Sequence, residues 1–456
     1  LNPGQVVFRD DNPTDLKEHH RFGPEYGFDA GFEPVLEWQN DQGFQGMTEL
    51  CHGCAGCRGE QSTTGGVMCP TFRASHEEIL STRGRANMLR QAMSGDLPDD
   101  PTDSEFTKEV LDLCIGCKGC KHDCPSGVDL AKLKAEVTHE HHQRHGISLR
   151  DRVFANFELL AKLGSATAPV SNWMADLPGS GLIAEKTLGI ARERETPTFK
   201  RETFAKRTAD HWPAVPAGEA TRKALLVPDI YTNHEYPDAG EAALAVLEAA
   251  GVHVEIADPR DVGRPAFSKG MLGAAAEKAN ESVHAFHPYV EDGWDVILIE
   301  PSDAVMVQSD YLDLFSHPEV EQVAANTYGV CEYLDTFDLD AEIDFDAPED
   351  HLAYHGHCHQ KAHAKDHHAV GVLRRAGYAV DPLDSTCCGM AGSFGYEAEH
   401  YSMSKAIGEV LYEQVDASEA DQVVAPGASC RSQLGDKPGA TEQPPTPIEA
   451  LAAALE

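Results

Sequence analysis

Cys114, Cys117, Cys120 and Cys124, the last followed by Pro125, spell C-x2-C-x2-C-x3-C-P, and this run constrains the fold more than any other feature of the chain. A variant lies upstream. Cys51, Cys54 and Cys57 keep the tight spacings, and Cys69-Pro70 closes the run after a longer insertion. Eight cysteines so arranged are the ligand set of two [4Fe–4S] clusters, and a protein that holds them carries electrons. A cubane needs four thiolates converging from different directions. Three cysteines two residues apart wrap one side, and the fourth comes from elsewhere. Because the cysteine before proline serves the other cluster in two-cluster ferredoxins, the expected sets are Cys51, Cys54, Cys57 and Cys124 for one cluster, and Cys114, Cys117, Cys120 and Cys69 for the second. Zinc is the alternative, but zinc sites use two separated C-x2-C pairs. Disulfides fit less well, since no secretory signal is present.

Small residues between the thiolates (Gly53, Ala55, Gly56, Gly116, Gly119) let backbone N–H groups approach cluster sulfurs. Arg83 and Arg85 face a cluster, the flavin domain, or solvent from a surface helix face. The chain has 75 acidic against 37 basic residues, a net charge of −38, which argues against nucleic acid or anionic lipid as partners. The acids are spread along the whole chain, the pattern of a protein held apart by self-repulsion in a high-salt cytoplasm. No apolar run reaches the length of a membrane-spanning helix. Leu1 is not an initiator methionine, so the chain is expected to be cut from a longer polypeptide.

With 456 residues, several domains are expected. Residues 1–45 read as an irregular lead-in. Residues 46–147 read as a mainly helical dicluster ferredoxin-like domain, with helices over 75–93 (Ser75 as N-cap), 105–113 and 128–144. Residues 148–222 read as a helical segment followed, from Thr196, by a basic, proline-bearing linker. Within it, the stretch from Val170 to Ile190 is amphipathic, suited to core packing or to a membrane or partner contact.

The second half repeats internally at an offset of 126 residues. Ala224 (ALLVPDIYTN) corresponds to Asp350 (DHLAYHGHCH), Ala249–Gly263 to Arg375–Gly389, and Asp295 (DVILIEPSD) to Asp421 (DQVVAPGASC). Each copy reads strand, helix, strand, glycine turn, helix, strand, predicting two α/β lobes, residues 223–345 and 346–456, with parallel strands. The fold class is therefore α+β and multidomain, a helical dicluster domain followed by two tandem α/β lobes. Copy two carries Cys358, Cys387-Cys388 and Cys430 at strand ends, where copy one has Thr232, Asp261-Val262 and Asp303. Cys358, Cys387, Cys388 and Cys430 suit a third iron–sulfur cluster, zinc, or free thiols. His355, His357 and His359 alternate and would share one face of a strand. Cys331 stands alone as a buried apolar residue.

The strings CCGMAGSFGYEAEHY (387–401), HGHCHQKA (355–362) and GASCRSQL (427–434) resemble the cysteine-rich, or CCG, domain of heterodisulfide reductases, of the iron–sulfur subunit of anaerobic glycerol-3-phosphate dehydrogenase, and of lactate and glycolate oxidation proteins. Together with residues 67–95 and 111–136, they resemble the C-terminal half of FAD-linked dehydrogenases that oxidise D-2-hydroxy acids such as D-lactate, glycolate or D-2-hydroxyglutarate. LNPGQVV (1–7) is similar to the end of their flavin domain. The resemblance implies FAD on a preceding domain or partner, hydride transfer to that flavin, and single electrons passed through two clusters to a quinone, cytochrome or other carrier. It implies an oxidoreductase of the cytoplasm, peripheral at the inner face of the membrane. Two departures weigh on alternatives. Copy one reads DVGRP and EPSD where relatives carry CCGRP and EPSC, so a structural or docking role is expected there. Copy two lacks a closing C-x-x-C, which speaks against thiol-redox catalysis of the heterodisulfide-reductase type. The LNPGQVV start favours fusion to a flavin domain over a free iron–sulfur adaptor.

Overall fold

The computed structural model describes residues 29–38, 43–59, 68–95, 97 and 101–455; LNPGQVV, most of the lead-in and most of the Cys57–Cys69 insertion lie outside them. Among the described residues, seven strands form two parallel sheets: β1 (Arg222–Val227), β2 (Val252–Ile256), β3 (Asp295–Leu298), β4 (Thr327–Gly329), β5 (His351–Tyr354), β6 (Ala379–Pro382) and β7 (Gln422–Val424). The first sheet runs β2-β1-β3-β4 and the second β6-β5-β7. The three strands of the second sheet have the order of their counterparts in the first, and all the pairings are parallel.

Strand periodicity explains how the first sheet is covered. Ala224 and Leu226 point to one side and Leu225 and Val227 to the other, and all four are buried, as parallel strands require. The Leu225 side packs on the helix Leu272–Glu291 and on Leu36, Ala135 and Ala155 from the first half of the chain. The Ala224 side joins a core that also contains Leu352, Tyr354, Val380 and Val424 of the second sheet. The two copies therefore share one apolar layer, built by the helices Pro237–Ala249, Val330–Thr336, His367–Arg375 and Pro447–Ala453. Cys331 packs against this layer.

Three local expectations need correction. The helix expected from Ser75 begins at Thr82, where the Ser81 side chain accepts from the Gly84 N–H; Ser75 instead ends the helix Pro70–Ser75. Gly84 tolerates no side chain, because a Cβ there would lie 2.0 Å from the Glu78 carbonyl. The stretch expected to be a linker is a packed strap: Phe199 and Phe204 are buried and the helix Phe204–Arg207 lies along it. The alternating histidines are not on a strand either. β5 ends at Tyr354, and His357 caps the helix Cys358–Ala362, where its ring meets that of His359 edge-on at 5.1 Å.

Helices cover 149–188, and their outer side is apolar: Leu149, Leu159, Leu160, Leu163, Val170, Trp173, Met174, Leu177, Leu182 and Ile183 are exposed. The helices Val170–Ala175 and Ser180–Leu188 contribute no buried residue. Among the described residues no helix is long and apolar enough to cross a membrane.

Candidate metal centres and electron path

The two cysteine runs fold into loops of one shape. In C-x2-C-x2-C the residue before the second cysteine and the residue after it are left-handed in both runs: Gly53 (φ 78°) and Ala55 (φ 66°), Gly116 (φ 64°) and Lys118 (φ 60°). Each loop is met by the start of a helix. The Arg83 N–H, from Thr82–Met93, points at Cys57 Sγ (3.4 Å), and the Leu130 N–H, from Leu130–His145, at Cys120 Sγ (3.3 Å). Such N–H groups at a helix N-terminus favour an anion, and a thiolate-bound cluster is one.

Two cavities result. Cys51, Cys54, Cys57 and Cys124 line the first, together with Val128 and Thr82. Cys69, Cys114, Cys117 and Cys120 line the second, together with Arg85, Ile115 and Leu130. Thr82 and Met68 wall both. The donor set, the enclosed space and the inward N–H groups fit a cubane in each. The first cavity opens outward at Cys54, which is exposed, while Cys69, Cys117 and Cys120 of the second are buried. Burial pushes the Cys117 and Cys120 thiols well above the ordinary range, so their thiolates need a metal or cation to persist.

The second cavity adjoins the last sheet. Cys117 shares an apolar cluster with Cys358, Cys387, Cys388 and Cys430, and His359 Nε2 lies 3.1 Å from the Gly116 carbonyl oxygen. These four cysteines are 1–7% exposed. A ring nitrogen of His355, Cys388 Sγ and Cys430 Sγ lie within 4.8 Å of one another, and His355 Nε2 is buried with no hydrogen-bond partner. The other ring nitrogen, Nδ1, is fixed 2.6 Å from Ser385 Oγ. Hydrogen bonds from Cys387 and Cys430 pull the Cys388 thiol well below its ordinary range, outweighing burial, with His355 adding to the effect. Gly389 makes the turn possible: its φ is +92°, and a Cβ there would lie 2.4 Å from the Ser404 carbonyl oxygen.

At the corresponding place in the first copy stand carboxylates. Asp229 accepts from the Thr232 N–H and hydroxyl and from the Glu300 N–H, Asp261 pairs with Lys278, and burial raises Asp303 well above the carboxylate range. Glu300 accepts from the Ala428 N–H, two residues before Cys430, and so ties the first copy to the thiolate loop of the second.

Contacts that hold the halves together carry no motif. Lys118, in the second cysteine run, pairs with Asp310, which also binds Arg264 at 2.8 Å. Lys132 pairs with Asp313 at 2.7 Å. His400 Nε2 meets Asp112 at 2.8 Å and its Nδ1 lies 3.3 Å from Glu397. Burial alone would lower His400, but Asp112 and Glu397 outweigh it and lift its pKa to about 8. Arg194 reaches the Gly395 carbonyl, Ser404 Oγ and Asp436. Apart from His400–Glu397, three residues apart, sequence spacing gives no sign of these pairs, because each joins residues far apart in the chain.

Residues 47–128 match the 4Fe-4S dicluster domain, and residues 352–435 match the cysteine-rich domain. With those domains the chain is an iron–sulfur protein of electron transfer, associated with oxidoreductases. Its relatives narrow the class. It is similar to D-2-hydroxyglutarate dehydrogenase of Escherichia coli (strain K12), 22% identical over 412 residues, which cover 80% of this chain and 40% of that protein. It is similar to one subunit of the anaerobic glycerol-3-phosphate dehydrogenase of the same strain, 25% identical over 300 residues, 63% of this chain and 73% of the relative. The glycolate oxidase iron-sulfur subunit of that strain is 23% identical over 388 residues, 80% and 86% of the two chains. The chain spans about two-fifths of the hydroxyglutarate dehydrogenases it matches.

Proposed function

We propose that this chain is the electron-relay part of a FAD-dependent D-2-hydroxy-acid dehydrogenase. Cys51, Cys54, Cys57 and Cys124 hold one [4Fe–4S] cluster, and Cys69, Cys114, Cys117 and Cys120 the other. The observation that carries this is the lining of the two cavities, each walled by three cysteines of one run and the closing cysteine of the other. Bound there, the clusters take up and release single electrons. The chain's own residues separate the two by the shared wall of Met68 and Thr82, shield the second from water, and open the first to a partner at Cys54.

The flavin sits on a domain preceding Leu1 or on a partner subunit, and the final acceptor is a quinone, a cytochrome or another carrier. Cys358, Cys387, Cys388 and Cys430, with His355, hold a third metal centre. Adjacent cysteines crowd a single tetrahedral ion, which favours an iron–sulfur centre. Burial of all four cysteines also speaks against disulfide exchange with an outside substrate. The exposed apolar side of 149–183 is a peripheral membrane contact.

The experiment is anaerobic mixing of the chain, in its natural polypeptide or complex, with D-lactate, glycolate and D-2-hydroxyglutarate. Bleaching of the iron–sulfur absorption by one of them, following flavin reduction, is the expected result. Flavin reduction that never reaches the iron–sulfur chromophore would refute the relay.

A further inference from the structure

Among the described residues of this acidic protein, one buried cation has no acid beside it. Five of their lysines and arginines are buried: Arg85, Lys118, Lys132, Arg194 and Arg431. Lys118 pairs with Asp310, Lys132 with Asp313, Arg194 with Asp436, and Arg431 lies 3.7 Å from Glu449. Arg85, 1% exposed, pairs with no carboxylate among the described residues. Its Nε donates to the Val110 carbonyl (2.9 Å), and its terminal nitrogens to the Leu80 carbonyl and Thr71 Oγ1 (3.2 Å). Nη1, which also donates to the Leu80 carbonyl and Thr71 Oγ1, lies 3.7 Å from Cys69 Sγ.

A guanidinium keeps its charge when buried, and a buried charge without a counter-ion is strongly disfavoured. In a chain with 75 acids, the lack of a carboxylate there needs a physical reason. The cavity supplies one, since four thiolates around a cubane are a fixed anion. The other cavity is built differently. Arg83, two residues earlier and on the opposite side of the same helix, also lines its cavity, but its side chain is already paired with Glu78 at 2.7 Å, and its backbone N–H points at Cys57 Sγ. Lys134 adds to the contrast. Its ammonium donates to the carbonyls of Asp112 (3.1 Å) and Cys114 (2.6 Å), at the rim of the second cavity, and it forms no ion pair among the described residues.

We propose that Arg85 is the built-in counter-charge of the cluster held by Cys69, Cys114, Cys117 and Cys120, and that it keeps this buried cluster reducible. The inference rests on the assignment of two clusters to the eight cysteines. Reduction adds one electron and hence one negative charge to the cluster and its thiolates, and no bond forms or breaks. The electron comes from the neighbouring cluster, which is oxidised by one electron. A fixed positive charge within contact of a ligand sulfur stabilises the more negative state, and low local dielectric strengthens the effect. Arg85 thereby offsets the burial that would otherwise make the inner cluster the harder of the two to reduce.

The test is an EPR-monitored redox titration of the full chain, purified anaerobically, in wild type, Arg85→Met, Arg85→Lys and Arg83→Met. Iron counting on wild type comes first; a wild type without iron would sink the cluster assignment itself and not the role of Arg85. In Arg85→Met one couple should fall enough to shift the electron distribution between the clusters at least tenfold, which is about 59 mV for one electron. The other couple should stay in place, Arg85→Lys should lie nearer wild type, and Arg83→Met should move neither. Unchanged couples in Arg85→Met, or equal shifts in both, would overturn the proposal. If Arg85→Met loses one cluster, Arg85→Lys decides: retention of about eight irons supports a charge role, and the same loss refutes it.

Discussion

Replacing His400 with glutamine should weaken the contact between the dicluster domain and the last sheet at pH 6 and leave it unchanged at pH 9. His400 is 4% exposed, stacks on Phe394 at a ring distance of 4.4 Å, and bridges Asp112, two residues before Cys114, to Glu397. Its pKa rises from 6.5 to about 8 in the fold. A raised pKa means that the charged form is the stabilising one. The contribution is complete below pH 6.5 and disappears as pH rises through about 8. A shift of that size is worth about 2 kcal/mol, roughly a thirtyfold change in local opening. The loss should not grow much larger, because Glu397 keeps Lys269 and Arg150 and Asp112 is partly exposed. Amide hydrogen exchange around Asp112–Cys114 and Tyr396–His400 reads the opening directly. At pH 6 the variant should exchange about thirtyfold faster than wild type, and at pH 9 at the same rate. A difference that is equal at both pH values, or larger at pH 9, would refute the reasoning.

Asp310→Asn leaves Lys118 and Arg264 buried against a neutral amide and should cost about 3–5 kcal/mol, seen as a lower denaturation midpoint. Gly389→Ala must move Ser404 or the Cys388 turn, so metal content at the last sheet should drop while about eight irons remain elsewhere. Cys387→Ser should remove the third centre without abolishing substrate-dependent reduction of the other two, a pattern visible by EPR. Replacing Leu163, Trp173 and Ile183 with serine should abolish flotation with phospholipid vesicles and leave iron content intact.

The sequence disclosed this fold unevenly, for physical reasons. Thiolate spacing is a local property, so both cysteine runs were legible, and the 126-residue offset foretold sheets of matching strand order because hydrophobic runs and glycine turns repeat with the backbone. Local punctuation misled at Ser75, where an N-cap signal stood at the end of one helix and the true cap, Ser81, lay six residues on. The alternation of His355, His357 and His359 imitated a strand because a period of two does not reveal where a strand stops, and β5 stops at Tyr354. The stretch 196–222 looked like a linker because its prolines and charges outnumber Phe199 and Phe204, the two residues that anchor it. Ion pairs such as Lys118–Asp310, 192 residues apart, leave no trace in a one-dimensional pattern.

Iron and sulfide analysis with EPR on the anaerobically purified chain reaches the central claim most directly. About eight irons and eight sulfides should belong to the two cavities, with iron beyond eight at Cys358, Cys387, Cys388 and Cys430. Cys124→Ser should weaken the centre bound by Cys51, Cys54 and Cys57 and spare the one bound by Cys114, Cys117 and Cys120. Zinc in place of iron, or loss of the wrong centre in Cys124→Ser, would contradict the account.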